Sequence, residues 1–102
     1  MHMDEKHANA HEQFFLAIRA LAASADSIQL RLIRANEFIL LVTIDEFEEE
    51  KELKIKFARI LDYLAVDQDD LEEVAVETAA HMTDMEAAKV AGLICDFFYD
   101  LG

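Results

Sequence analysis

Ile28-Gln29-Leu30-Arg31-Leu32-Ile33-Arg34-Ala35-Asn36-Glu37-Phe38-Ile39-Leu40-Leu41-Val42-Thr43-Ile44 is the stretch on which the fold depends. It has two readings. With a period of 3.6, Ile28, Leu32, Ala35, Ile39 and Val42 form one helical face, and Leu30, Ile33, Leu41 and Ile44 form a second. A helix apolar on nearly every side is a buried helix. With a period of two, Ile28, Leu30 and Leu32 alternate, residues 38–44 make a buried strand, and Arg34-Ala35-Asn36-Glu37 is the turn of a hairpin. A tight hairpin turn wants Gly after the Asn, and Glu37 stands there instead. The helix is preferred, so the chain reads as all-α. An α+β fold with a hairpin at 28–44 is the alternative.

The rest of the chain points the same way. Its 102 residues contain no Pro, and the first of two Gly is Gly92. Short turns recruit those two residues, and a sandwich or barrel needs many short turns. The same absence excludes a phosphate loop, a dinucleotide-binding fingerprint and a nucleophile elbow.

Outward from the centre, each flank carries its own helical pattern. On the N-terminal side Ala10, Phe14, Ala17, Ile18, Leu21 and Ala25 share one face of a helix over about 4–23, with His7, His11 and Arg19 off it. Asp26 and Gln29 have capping-box spacing before the central helix, and Asp45 and Glu48 repeat it for a third helix starting at 45. That third helix has the core stripe Leu53, Phe57, Ile60, Leu61 and Leu64. The stripe is absent before Leu53, so the first two turns read as solvated or partner-facing. Glu50 and Glu52 stand four residues ahead of Lys54 and Lys56, in the favoured order for ion pairs along a helix. Residues 66–70 read as a loop. Leu71, Val74, Ala75, Thr78, Ala79 and Met82 follow as a fourth stripe. Thr83 and Glu86 cap a last helix whose Val90, Leu93, Ile94, Phe97 and Leu101 face the core, while Glu86, Lys89, Asp96 and Asp100 face water. Met82 and Met85 read as core gap-fillers. The expectation is one domain over 1–102, a bundle of four to five helices.

Charge restricts the partners. The net charge is −13, from 22 acidic and 9 basic residues, which excludes direct binding to nucleic acid or to an anionic membrane surface. Five carboxylates (Asp4, Glu5, Glu12, Asp26 and Glu37) lie in residues 1–44, leaving 17 of the 22 beyond. A basic protein surface would therefore meet the second half. The candidate contacts are Asp45, Glu46, Glu48, Glu49 and Glu50, followed by Asp69, Asp70 and Glu73. The competing reading of the first run is a solvated helix start.

The apolar fraction is 54%, high for a chain with so little interior, and the excess points to a homodimer or larger assembly. Phe97, Phe98 and Tyr99 cannot all face one core, so Phe98 and Tyr99, with Phe15 from the widened first helix, mark the oligomer interface.

Other chemistry is sparse. His7 and His11 at i, i+4 could share a metal, with His81 as a third ligand, which gives a small metal-binding bundle as one alternative function. Ferritin-type sites use Glu-x-x-His, whereas Glu77 and His81 are four apart, and no cofactor is expected. Cys95 is the single cysteine, so no internal disulfide forms, which suits a reducing cytoplasm. Beside Asp96 in mid-helix it reads as a buried structural residue. There is no signal core and no membrane-spanning run. The sequence thus describes a non-catalytic acidic interaction module, a regulator or inhibitor. A purely structural homo-oligomer is the remaining alternative.

Overall fold

The computed structural model describes residues 7–64 and 71–102, without the side chains of 71–74. The chain is all-α, and among the described residues there are five α-helices and no strand: α1 (Ala8–Ala22), α2 (Ile28–Ile39), α3 (Lys51–Tyr63), α4 (Leu71–Ala80) and α5 (Asp84–Leu101). A short 3-10 turn, Ile44–Phe47, lies between α2 and α3. Packing joins α1 to α2 and α5, α2 to α4 and α5, and α3 to α5.

The central segment is a helix, as preferred, but it ends at Ile39 and not at 44. The apolar pattern runs on because the residues of the turn are also buried, Val42 among them. Thr43, at φ −105° and ψ 149°, is extended and ends the helical path. A capping box then opens the 3-10 turn, where the Thr43 N–H donates to the Glu46 carboxylate at 2.9 Å. The expected box at Asp45 and Glu48 is therefore two residues out, and the third helix starts at Lys51 and not at Asp45. Before α2, Ser27 is the cap and not Asp26, its Oγ accepting from the Leu30 N–H at 3.2 Å. Asp26 instead accepts from Ser24 Oγ at 2.8 Å and from Arg34 at 2.6 Å. Arg31 donates to the Leu21 carbonyl at 2.7 Å, fastening the end of α1 to α2.

The expected last helix is present as read. Thr83 Oγ1 accepts from the Glu86 N–H at 3.1 Å, and the Glu86 carboxylate accepts from the Thr83 N–H at 2.8 Å. Gln29 reaches across to the Met82 carbonyl at 3.0 Å and the Asp84 carboxylate at 2.7 Å, pinning this turn to α2. The C-terminal caps of α1, α2 and α3 are Ala23, Leu40 and Leu64, with φ of −102°, −71° and −85°, none of them left-handed.

The buried residues form one core. Phe14 of α1, Phe47 of the turn, Phe57 of α3 and Phe97 of α5 form one aromatic cluster with centroid separations between 4.7 and 6.1 Å. Leu32, Ala35 and Ile39 of α2 and Ala75 and Ala79 of α4 are buried in the same core. Small side chains on α4 let it approach α2 closely. Phe47 corrects the expectation that the segment before Leu53 carries no core residue: it is fully buried, between two runs of carboxylates. Leu61 is only half-buried, and Ala25 is exposed beyond the end of α1. The expected loop at 66–70, the start of the first helix before His7, and the side chains of Leu71 and Val74 lie outside the described residues. Asn36 is 2% exposed, and neither its Oδ1 nor its Nδ2 has a partner.

Two expected outcomes follow from this packing. Phe47→Ala should lower unfolding stability by about 3–5 kcal/mol, the range for truncating a buried aromatic. Leu41→Ala, at a 59% exposed position, should change it by less than about 0.5 kcal/mol in the same urea titration. The capping hydrogen bonds from Thr83 hold the Glu86 carboxyl below its ordinary 4.5. A lowered acid contributes stability above pH 4.5 that is lost as the pH falls through its folded value. Glu86→Gln should accordingly remove part of the acid-side fall in Tm, measured by melting across the pH range.

Candidate functional site

Burying Phe47 in the 3-10 turn fixes the carboxylates on either side of it. Asp45, Glu46, Glu48, Glu49 and Glu50 line one surface depression of about 200 Å³. Bonds to the beginning of α1 and its cap hold the rim. Asn9 donates to the Glu46 carboxylate at 3.1 Å and to the Leu41 carbonyl at 3.2 Å. At the start of α1, His7 Nε2 lies 2.7 Å from Glu50 Oε1. Glu46 and Glu50 therefore act partly as struts, while Asp45, Glu48 and Glu49 are exposed. A carboxylate group held this way has little conformational freedom left to lose on binding a cation.

His7 was expected to lie away from the apolar face, with a metal site shared with His11 and His81 only as an alternative. It is 6% exposed, its ring stacks on Phe47 with centroids 5.7 Å apart, and its Nδ1 is buried without a partner. The pairing of Glu50 with a residue 43 positions away has no local signature. His11 sits against the Phe98 ring at 4.9 Å, and His81 Nδ1 lies 2.8 Å from the Glu77 carbonyl. Each imidazole is thus engaged separately. Among the described residues no three His, Cys, Asp or Glu side chains come together in a metal-holding group.

The second acidic group is not part of this site as described. Asp69 and Asp70 lie outside the described residues, as does the side chain of Glu73. The helical ion pairs expected at Glu50–Lys54 and Glu52–Lys56 give way to longer-range contacts. Glu50 turns to His7, and Lys56 Nζ bonds Asp100 at 2.7 Å. That bond, assisted by the nearby charges of Glu52 and Asp96, raises the Lys56 ammonium above its ordinary value. The same pair lines a cavity of about 360 Å³ between α3 and α5, with Arg59, Ile60, Leu93, Asp96, Phe97 and Tyr99. Of the charged groups there, Lys56 and Asp100 are paired with each other.

The expected interface residues occupy one face of α1 and α5. Phe15 is 50% exposed, Tyr99 is 84% exposed, and the half-buried Phe98 packs against Phe15 at 6.4 Å. Two residues on this face correct the sequence reading. Met85 is no core filler but is 85% exposed. Cys95 is exposed, not buried, and partial desolvation with the neighbouring Asp96 charge raises its thiol above 9.0, away from nucleophilic use at neutral pH. The missed signal was the spacing of Met85, Ala88, Gly92, Cys95 and Tyr99, an uncharged run three and four residues apart.

No helix among the described residues is long and apolar enough to cross a membrane. No family model, curated protein or solved structure matches the chain.

His7→Ala should release Glu50 and loosen the acidic turn. Amide hydrogen exchange should speed up over residues 44–50 and stay unchanged in the middle of α5; uniform acceleration would mean that His7 stabilises the whole fold instead.

Proposed function

We propose that the protein is a non-catalytic interaction module, a regulator or inhibitor that docks a basic protein surface at the acidic turn. The observation that carries this reading is that five carboxylates line one depression, two of them, Glu50 and Glu46, braced by His7 at the cap of α1 and Asn9 within it. A solvated helix start would leave such groups free to move apart. Here Glu46 and Glu50 are tied to the beginning of α1, and the other three line the same depression. Preset charge of one sign steers and speeds association, and the effect falls with ionic strength. The net charge of −13 adds a long-range attraction for any cationic surface. A cytoplasmic location belongs to the same proposal and rests on the single, uncrosslinked cysteine.

A second reading is self-association through Phe15, Phe98 and Tyr99. What favours it is the exposure of large side chains on one contiguous α1–α5 face, which also carries Met85. The two readings are compatible, since the acidic turn and this face share no residue.

Affinity capture from the native host at low salt tests the docking reading. The wild-type chain should retain a basic protein, and raising the salt should release it. The chain carrying Glu48→Gln, Glu49→Gln and Glu50→Gln together should lose it. Equal retention by both would show that the acidic run is only a solvated surface.

A further inference from the structure

Gly92 has no reason within its own fold. It stands in the middle of the 18-residue helix α5, where Gly is less favourable than any residue except Pro. Its φ is not in the left-handed region, and a Cβ built on it would meet nothing within 4 Å. Neither backbone conformation nor packing against α1, α2 or α3 calls for a missing side chain. What a bare helix surface permits is close approach by another chain.

The surroundings of Gly92 say which chain. Met85, Ala88, Gly92, Cys95, Tyr99 and Gly102 are all exposed and follow one another at intervals of three, four, three, four and three, the spacing of a helix–helix seam. Phe15 and Ile18 of α1 continue the apolar surface beside Cys95, Phe98 and Tyr99. We propose that two copies of this chain pair here, α5 against α5, antiparallel about a two-fold axis between Gly92 and Cys95. This rests on the self-association reading and gives it a register.

The register follows from size. Placing Gly92 opposite the second copy's Cys95 also places Ala88 opposite its Tyr99 and Met85 opposite its Gly102. Each larger side chain then meets a smaller one, and symmetry repeats all three layers. A parallel pair would instead stack Tyr99 on Tyr99 and leave Gly92 facing Gly92. Charge agrees with the antiparallel choice. Lys89 and Asp96 flank the seam on the same side, so each copy's Lys89 comes beside the other's Asp96, twice per dimer. The Lys89 ammonium lies 5.1 Å from the centre of the Tyr63 ring in the single chain, and its flexible stem lets it turn to the new carboxylate. The net charge opposes the pairing at long range, so added salt should strengthen this dimer while weakening docking at the acidic turn.

Sedimentation of the full chain over a range of concentration and salt is the test. The wild type should show twice its 11.6 kDa mass, more completely at high salt. Gly92→Leu, at a position open to solvent, should keep the helical circular dichroism and raise the dimer dissociation constant about tenfold or more. A short bis-maleimide should join Cys95 to Cys95 in the wild type. It should not join copies carrying Ala88→Cys with Cys95→Ser, because the antiparallel register holds those positions about 16 Å apart along the axis. A monomer under all conditions would overturn this proposal and the self-association reading together. A dimer that survives Gly92→Leu, weakens with salt, or is joined through Ala88→Cys would overturn this proposal alone.

Discussion

Phe14, Phe47, Phe57 and Phe97 come from four separate segments, and their meeting positions the elements around them. Offset and edge-on contacts among four rings bury a large apolar area and add a directional term that aliphatic packing lacks. Three of the rings lie on helices that would be amphipathic in any bundle. Phe47 is different. It sits in a four-residue turn with carboxylates on both sides, so its burial pulls a strongly hydrated segment against the core. The turn, the start of α3 and the beginning of α1 are consequently held together.

That arrangement links stability to recognition. The carboxylates next to Phe47 cannot follow it inward, so they spread around it on the surface. His7 covers the ring and reaches Glu50, and Asn9 reaches Glu46, so the beginning of α1 serves as both core lid and brace. The face formed by α1 and α5 carries different residues, though Asp100 beside Tyr99 lines one depression with Glu49 and Glu50. Its outward side carries Phe15, Met85, Cys95 and Tyr99 while the opposite side of the same helices supplies Phe14, Val90, Ile94 and Phe97 to the interior. One pair of helices is thus apolar in two directions.

The helices were legible in the sequence wherever burial alone determines them. The stripe of α5 from Val90 to Phe97, that of α3 from Leu53, and Phe14 with Ala17 on α1 follow a 3.6-residue period that needs no tertiary information. The end of α2 was not legible. Val42 is buried in a turn at a position that continues the helical period, so periodicity ran past Ile39. The caps were displaced by one or two residues because Asp26, Ser27, Thr43 and Asp45 are all competent caps, and the packing of neighbouring helices decides among them. Of the acidic site, its composition could be read but not its bracing. The contacts of His7 with Glu50 and of Asn9 with Glu46 join residues 43 and 37 positions apart. Phe47 was hidden by its acidic neighbours, and Cys95 and Met85 by a rule of thumb that places such residues inside.

The helix ends leave one more consequence. Ala23, Leu40 and Leu64 close three helices at negative φ, a conformation open to every L-amino acid except where proline would remove a needed donor. At these three helix ends the backbone calls for no particular residue, and the specification of the corners falls to the caps that follow, Ser27, Thr43 and Thr83. In an ordinary fold, invariant glycines and prolines act as fixed landmarks by which distant descendants remain recognisable. A lineage built on these corners is free to rewrite Ala23, Leu40 and Leu64, provided the capping residues, the inward-facing volumes and the four rings keep their places. Its history would be written in the periodicity of its interior, the feature that drifts most freely among Leu, Ile, Val, Met and Phe.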